Sequence, residues 1–189
     1  MKSRLLLLLL LLGLSCAAVA ANPQVEMKTS QGMIVLELYP DKAPKTVENF
    51  LGYVENGLYK GSVFHRVIDN FVIQGGRYDT YFREKTAWKR IYNEAKNGLK
   101  NEAFTLAMAR TKDPHSAVSQ FFINLKDNPS LDFTEPTVKG WGYTVFGKVV
   151  KGQEIATKIG KVPTGAREPF ASDVPLENVV IEDIRVIKN

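Results

Sequence analysis

Residues 64–76 read Phe64-His65-Arg66-Val67-Ile68-Asp69-Asn70-Phe71-Val72-Ile73-Gln74-Gly75-Gly76, and this stretch limits the possible folds more than any other. Two short apolar runs flank Asp69-Asn70. Asp and Asn tolerate the left-handed backbone that a tight turn needs, so the pattern predicts a β-hairpin. In a strand, alternate residues share a face. Strict alternation puts Phe64, Arg66 and Ile68 on one face and Val63, His65 and Val67 on the other. Arg66 is then expected between two large apolar neighbours, either snorkelling to water or held to act on something. Gln74 comes back on the second strand, and Gly75-Gly76 is expected to end the hairpin and admit close backbone approach. Taken alone, the stretch also fits a plain strand with one edge arginine.

The N-terminus reads differently from the rest. Met1-Lys2-Ser3-Arg4 is basic, Leu5 to Leu12 is an unbroken leucine run, and Ala18-Val19-Ala20-Ala21 offers small residues. The run is too short to span a bilayer, and the three parts together predict a signal peptide over residues 1–21, cleaved after Ala20 or Ala21. A membrane anchor and a lipoprotein attached through Cys16 are the alternatives. Cys16 is the only cysteine, so cleavage excludes both a disulfide framework and a cysteine-ligated metal site. A chain without thiols is compatible with an oxidising compartment. Residues 22–189, 168 in all, suffice for one domain with its own core. Losing Lys2 and Arg4 takes the basic count from 25 to 23 against 20 acids, so the net charge falls from +5 to +3. That mild excess, with no basic cluster interleaved with aromatics, gives no reason to expect nucleic-acid binding.

Further along, Val25–Lys28 and Met33–Leu38 read as strands around Ser30-Gln31-Gly32. Asp41-Lys42-Ala43-Pro44 opens a helix, with Asp41 near the capping position and Pro44 suited to a first turn. Val47, Phe50, Leu51 and Val54 follow the spacing of one buried helix face, and Asn56-Gly57 stops it. The polar stretch 77–101 carries Tyr78, Tyr81, Phe82, Trp88 and Tyr92, which predicts a packed excursion. Thr105–Met108, Gln120–Ile123, Val145–Val150 and Val179–Val186 are expected strands. Gln153–Ile159 is an expected short helix, and Lys161–Pro175 an expected loop. About eight short strands and two helices without a βαβ rhythm make a parallel sheet improbable and predict a mainly β, antiparallel sheet that closes on itself to remove its edges.

Four blocks carry a resemblance: Phe64 to Gly76; Leu106-Ala107-Met108-Ala109-Arg110; Ser119-Gln120-Phe121-Phe122-Ile123; and Val145-Phe146-Gly147-Lys148-Val149-Val150. In this order and spacing, from about Val25 to Val186, the chain resembles the cyclophilin family of peptidyl-prolyl cis–trans isomerases. Asn93 to Leu99, ahead of the second block, is similar to the bacterial branch. The resemblance implies a closed eight-stranded antiparallel barrel capped by two α-helices, with a packed interior and a substrate groove outside.

It also implies a chemistry. An X-Pro bond rotates slowly because rotation breaks amide resonance, a barrier of about 18–20 kcal/mol. No covalent bond is cleaved, so no cofactor and no metal are expected. A catalyst must favour the twisted amide, whose proline nitrogen becomes pyramidal and gains a lone pair. A fixed arginine donor aimed at that nitrogen suits the task. By the resemblance, Arg66 is that donor and Gln74 supports it. Phe71, Val72, Phe122 and Leu131 match the apolar pocket for the proline ring, with Val72 where the family often has methionine. Ala109 and Arg110 match the segment whose backbone pairs with the peptide, and Gln120 falls in the same binding strand. Tyr143 stands where many relatives have histidine. Read singly, Phe71, Phe122 and Leu131 also fit a plain core, Phe121 fits the core better than the pocket, and His65 reads as structural. Arg66 with Gln74 is harder to explain that way, because burying both without a task is costly.

Three departures matter. Ser130 occupies the position of a tryptophan that packs on cyclosporin in many eukaryotic members, so weak cyclosporin binding is expected. Phe104 stands where relatives usually have glycine. Asp69-Asn70 replaces a Pro-Gly or similar turn. The expected activity is prolyl isomerisation by a monomer acting on proline-containing segments of folding proteins, periplasmic or secreted. The alternative is a proline-peptide binding module or chaperone of the same fold without turnover.

Overall fold

A computed structural model describes residues 21–187; the expected signal peptide up to Ala20 and Cys16 lie outside the described residues. The elements in chain order are β1 (Gln24–Thr29), β2 (Gly32–Leu38), α1 (Pro44–Glu55), β3 (Ser62–Ile68), β4 (Val72–Asp79), β5 (Thr105–Met108), β6 (Phe121–Asn124), β7 (Val145–Lys151), α2 (Gln153–Gly160), β8 (Thr164–Arg167), β9 (Phe170–Pro175) and β10 (Ile181–Ile187). Single 3-10 turns lie at Ala95–Asn97 and Pro129–Leu131.

Eight strands form one antiparallel sheet in the order β10-β1-β2-β7-β5-β6-β4-β3. The sheet curls until its two edges meet, but the seam is thin. It holds one bridge, Val63 to Val180, with Gly61 N–H donating to Ile181 O at 2.7 Å and Phe64 N–H to Val179 O at 2.9 Å. The barrel is therefore curled rather than closed by a continuous ladder.

The interior is packed with Val25, Met27, Ile34, Leu36, Leu38, Ile73, Leu106, Phe121, Ile123, Phe146 and Val149. Helix α1 buries Val47, Phe50, Tyr53 and Val54 against this core. Phe50 alone meets the rings of Tyr59, Phe121 and Phe146 at 5.0, 5.5 and 5.2 Å. Asp41 does not cap this helix. Ala43 is the N-cap residue and makes no side-chain cap bond. The free amides of Lys45 and Thr46 are instead taken by the Glu94 carboxylate at 3.1 and 2.8 Å. An anion at a helix N-terminus satisfies orphan donors and complements the helix dipole, so the excursion 77–101 is pinned by the helix it caps. Trp88, stacked on Tyr53 at 4.6 Å, pins it a second time.

Two expectations about β-structure need correction. First, β4 runs on past Gly75-Gly76 to Asp79. Gly76 has φ +91°, and a Cβ there would come within 3.0 Å of Ser119 O, so glycine serves close approach and not termination. Second, Lys161–Pro175 is not a loop. β8 and β9 form their own two-stranded sheet, which packs on β3 through Phe170. That ring lies 5.5 Å from His65 and 5.2 Å from Tyr78.

His65 is thus only 3% exposed, and its Nδ1 has no hydrogen-bond partner among the described residues. Burial, reinforced by the charge of Arg66, lowers its pKa from 6.5 to about 4. The folded protein keeps His65 neutral where the unfolded chain protonates it, so stability is full above pH 6.5 and is lost as pH falls toward 4. The unfolding free energy from denaturant titration is expected to drop by roughly 3 kcal/mol between pH 7 and pH 4 from this group. His65→Phe should remove that share of the slope; an unchanged slope would contradict the assignment.

Candidate active site

The site begins with an irregularity in β3. Phe64 pairs with Gly75 and Arg66 with Gln74, leaving His65 as one extra residue on its strand. This is a β-bulge, which re-aims the side chains around it. Strict alternation would put Phe64 and Arg66 on one face, whereas Phe64 and Val67 both lie in the interior. Arg66 is turned outward, half-exposed, and does not sit beside Phe64.

Outside the barrel a second apolar cluster lies on β4, β5, β6 and β7. Val72, Ala107, Phe122 and Val145 form its buried floor, with Phe71, Leu99, Ala109, Leu131 and Tyr143 packed around it. An apolar outer face left open on a sheet marks a binding surface, and here an open cavity of about 380 Å³ lies over it. Arg66, Phe71, Val72, Gln74, Ala109, Arg110, Phe122, Leu131 and Tyr143 line that cavity. Nine of the ten residues proposed from the sequence therefore converge on one groove. The tenth, Gln120, lies outside this lining but accepts from Gln74 Nε2 at 2.8 Å. Phe121 is fully buried in the core.

The polar side of the groove is a short chain of contacts. Arg66 Nη1 donates to Gln74 Oε1 at 3.4 Å, and Gln74 in turn donates to Gln120. Across the groove, Arg110 Nε donates to Gly142 O at 2.8 Å while its guanidinium lies over the Tyr143 ring at 4.6 Å. The side chain of Arg110 is thus tied down. Its own backbone N–H and C=O have no partner among the described residues. An unpaired donor and acceptor beside a groove are what an extended peptide can pair with.

Sequence reading missed the support beneath Leu131. Asn124 Nδ2 donates to Asn101 Oδ1 and Thr105 Oγ1, Asn128 Nδ2 donates to Asn124 Oδ1, and Asn101 Nδ2 donates to Leu131 O at 3.0 Å. These buried asparagines set the turn that carries Leu131. Asn124 and Asn128 stand four residues apart, but Asn101, which links them to Leu131, is more than twenty residues from either, and that separation hid the network. Among the described residues no cluster of three His, Cys, Asp or Glu could hold a metal.

Residues 24–186 match the family described as cyclophilin type peptidyl-prolyl cis-trans isomerase/CLD. A peptidyl-prolyl cis-trans isomerase of Streptomyces antibioticus is 53% identical over 163 residues, covering 86% of this chain and 98% of its own length. Peptidyl-prolyl cis-trans isomerase B of Escherichia coli is 49% identical over 162 residues, again with 86% and 98% covered. A Cryptosporidium parvum cyclophilin type peptidyl-prolyl cis-trans isomerase, crystallised in the presence of the dipeptide Ala-Pro, superposes with a TM-score of 0.71 at 30% identity, covering 88% of this chain and 99% of that one. With the curled sheet, the outer apolar groove and the arginine beside it, this chain belongs to the cyclophilin-type peptidyl-prolyl cis–trans isomerases.

Proposed function

We propose that isomerisation rests on Arg66 acting as a hydrogen-bond donor to the proline nitrogen as the amide twists. The observation that carries this reading is the placement of one arginine, tied to Gln74, at the edge of the apolar cavity. In the planar amide the nitrogen lone pair is delocalised and accepts poorly. In the twisted state it is localised, so a donor already in place stabilises the transition state more than either ground state. Phe71, Val72, Phe122 and Leu131 hold the proline ring, and the free backbone groups of Arg110 hold the residue next to it. The ring is fixed while the chain before it rotates.

The competing reading is a proline-peptide binding module without turnover. A binder needs the apolar floor and the Arg110 backbone, but it has no use for a donor aimed at the nitrogen. Exchange rates of a short X-Pro peptide separate the two. Arg66→Ala is expected to lower catalysed exchange by about 10²–10³ with folding and peptide affinity retained. Native protein that binds the peptide without accelerating exchange would establish the binding module instead.

Cyclosporin binding is expected to be weak. Ser130 is exposed beside Leu131 at the groove rim, where a tryptophan would add a large apolar contact. A direct titration should give an affinity well short of nanomolar, and Ser130→Trp should tighten it. Nanomolar binding by the native chain would refute this.

We further propose export, followed by action as a monomer that assists folding of envelope or secreted proteins; the basic, leucine-rich and small-residue segments in order support the export. Mass spectrometry of protein recovered from the producing cell is expected to find a mature N-terminus at Ala21 or Asn22. A lipid-modified Cys16 would assign the anchored alternative, and an intact Met1 would overturn the export reading.

A further inference from the structure

The β8–β9 hairpin does more than cover β3. Its register shifts between the pairs Gly165–Val174 and Arg167–Phe170. β8 has one residue in that interval and β9 has three, Ala171 to Asp173, so β9 carries a bulge there. Asp173 closes the bulge with φ +65°, in the left-handed region. Bulges re-aim side chains, and this one sets Asp173 against the residue that the β3 bulge has turned outward. Asp173 Oδ2 lies 3.8 Å from Arg66 Nε. Arg66 and Asp173 also line one cavity together with His65, Gln74, Tyr78 and Phe170, and Arg66 lines the proline groove as well.

We propose that Asp173 is a positioning residue for Arg66, fixing the plane of the guanidinium from the side opposite the substrate. This rests on the reading of Arg66 as the donor. The Gln74 contact at 3.4 Å is long, and alone it leaves the fork free to swing. A second contact at Nε restrains the plane, because Nε and Nη1 are two corners of one rigid fork. The Nη2 hydrogens have no partner among the described residues and remain available to substrate. At 3.8 Å the Asp173 contact is ionic and not a hydrogen bond, and both side chains are more than a third exposed. Such a pair adds little to folding stability, so its effect lies in orientation.

Asp173→Asn and Asp173→Gly test this. Both residue types tolerate a left-handed backbone, so neither variant strains the bulge. Exchange measurements on an X-Pro peptide should find kcat lowered about three- to tenfold with peptide Kd unchanged, and a melting temperature equal to or above that of the native protein. In an Arg66→Ala background the same substitutions should have no further effect on kcat. Native or raised kcat in both variants would overturn the proposal. So would a loss of kcat that tracks a fall in melting temperature, or an equal loss without Arg66. If Arg66→Ala itself keeps native kcat, the donor reading fails first, and that result is distinct from an inactive Arg66→Ala beside fully active Asp173 variants.

Discussion

A regular strand can place a side chain only on the face that its neighbours' alternation dictates. The site depends on breaking that rule once. The extra residue at His65 lets Phe64 and Val67 both point into the barrel while Arg66 points out. Without the bulge either Arg66 would enter the apolar interior or Phe64 would leave it. Both carry desolvation or packing costs that a marginally stable domain cannot absorb. The bulge also leaves His65 under the β8–β9 hairpin, which explains why a titratable ring is buried next to the proposed catalytic group.

The outer groove is built by a different device. Four neighbouring strands carry apolar residues on their outer as well as inner faces. Long-range hydrogen bonds hold the connecting loops around these strands. Glu94 caps α1, Asn93 Oδ1 accepts from Thr144 Oγ1 at 3.0 Å, and the asparagine network holds Leu131. A rigid groove is useful for this reaction, because stabilising a twisted amide requires that donor and ring pocket keep their separation while the peptide moves.

Phe104 illustrates how structure resolves a sequence oddity. Its φ is +66°, the left-handed region that glycine occupies without steric cost, which is the physical reason the resemblance implies glycine there. In this chain the ring packs partly against the core, offsetting some of the backbone strain. Asn70, by contrast, takes φ +54° as its chemistry predicts for a turn residue.

The sequence by itself determined the local rules: the strands β1 and β2 around their turn, the buried stripe of α1, the hairpin turn at Asp69-Asn70, and four motif blocks whose residues meet in one groove. These are legible because they depend on neighbours within a few positions. Only the tertiary structure decided the β3 bulge, the thin seam between β3 and β10, the capping of α1 by Glu94, and the β8–β9 hairpin that brings Asp173 to Arg66. The bulge depends on pairing with a residue eight positions away, and the seam, the Glu94 cap and the contact of Asp173 with Arg66 depend on partners far more distant. Local propensity holds no information about which distant group arrives, since that is settled by how the whole sheet curls to bury its inner face.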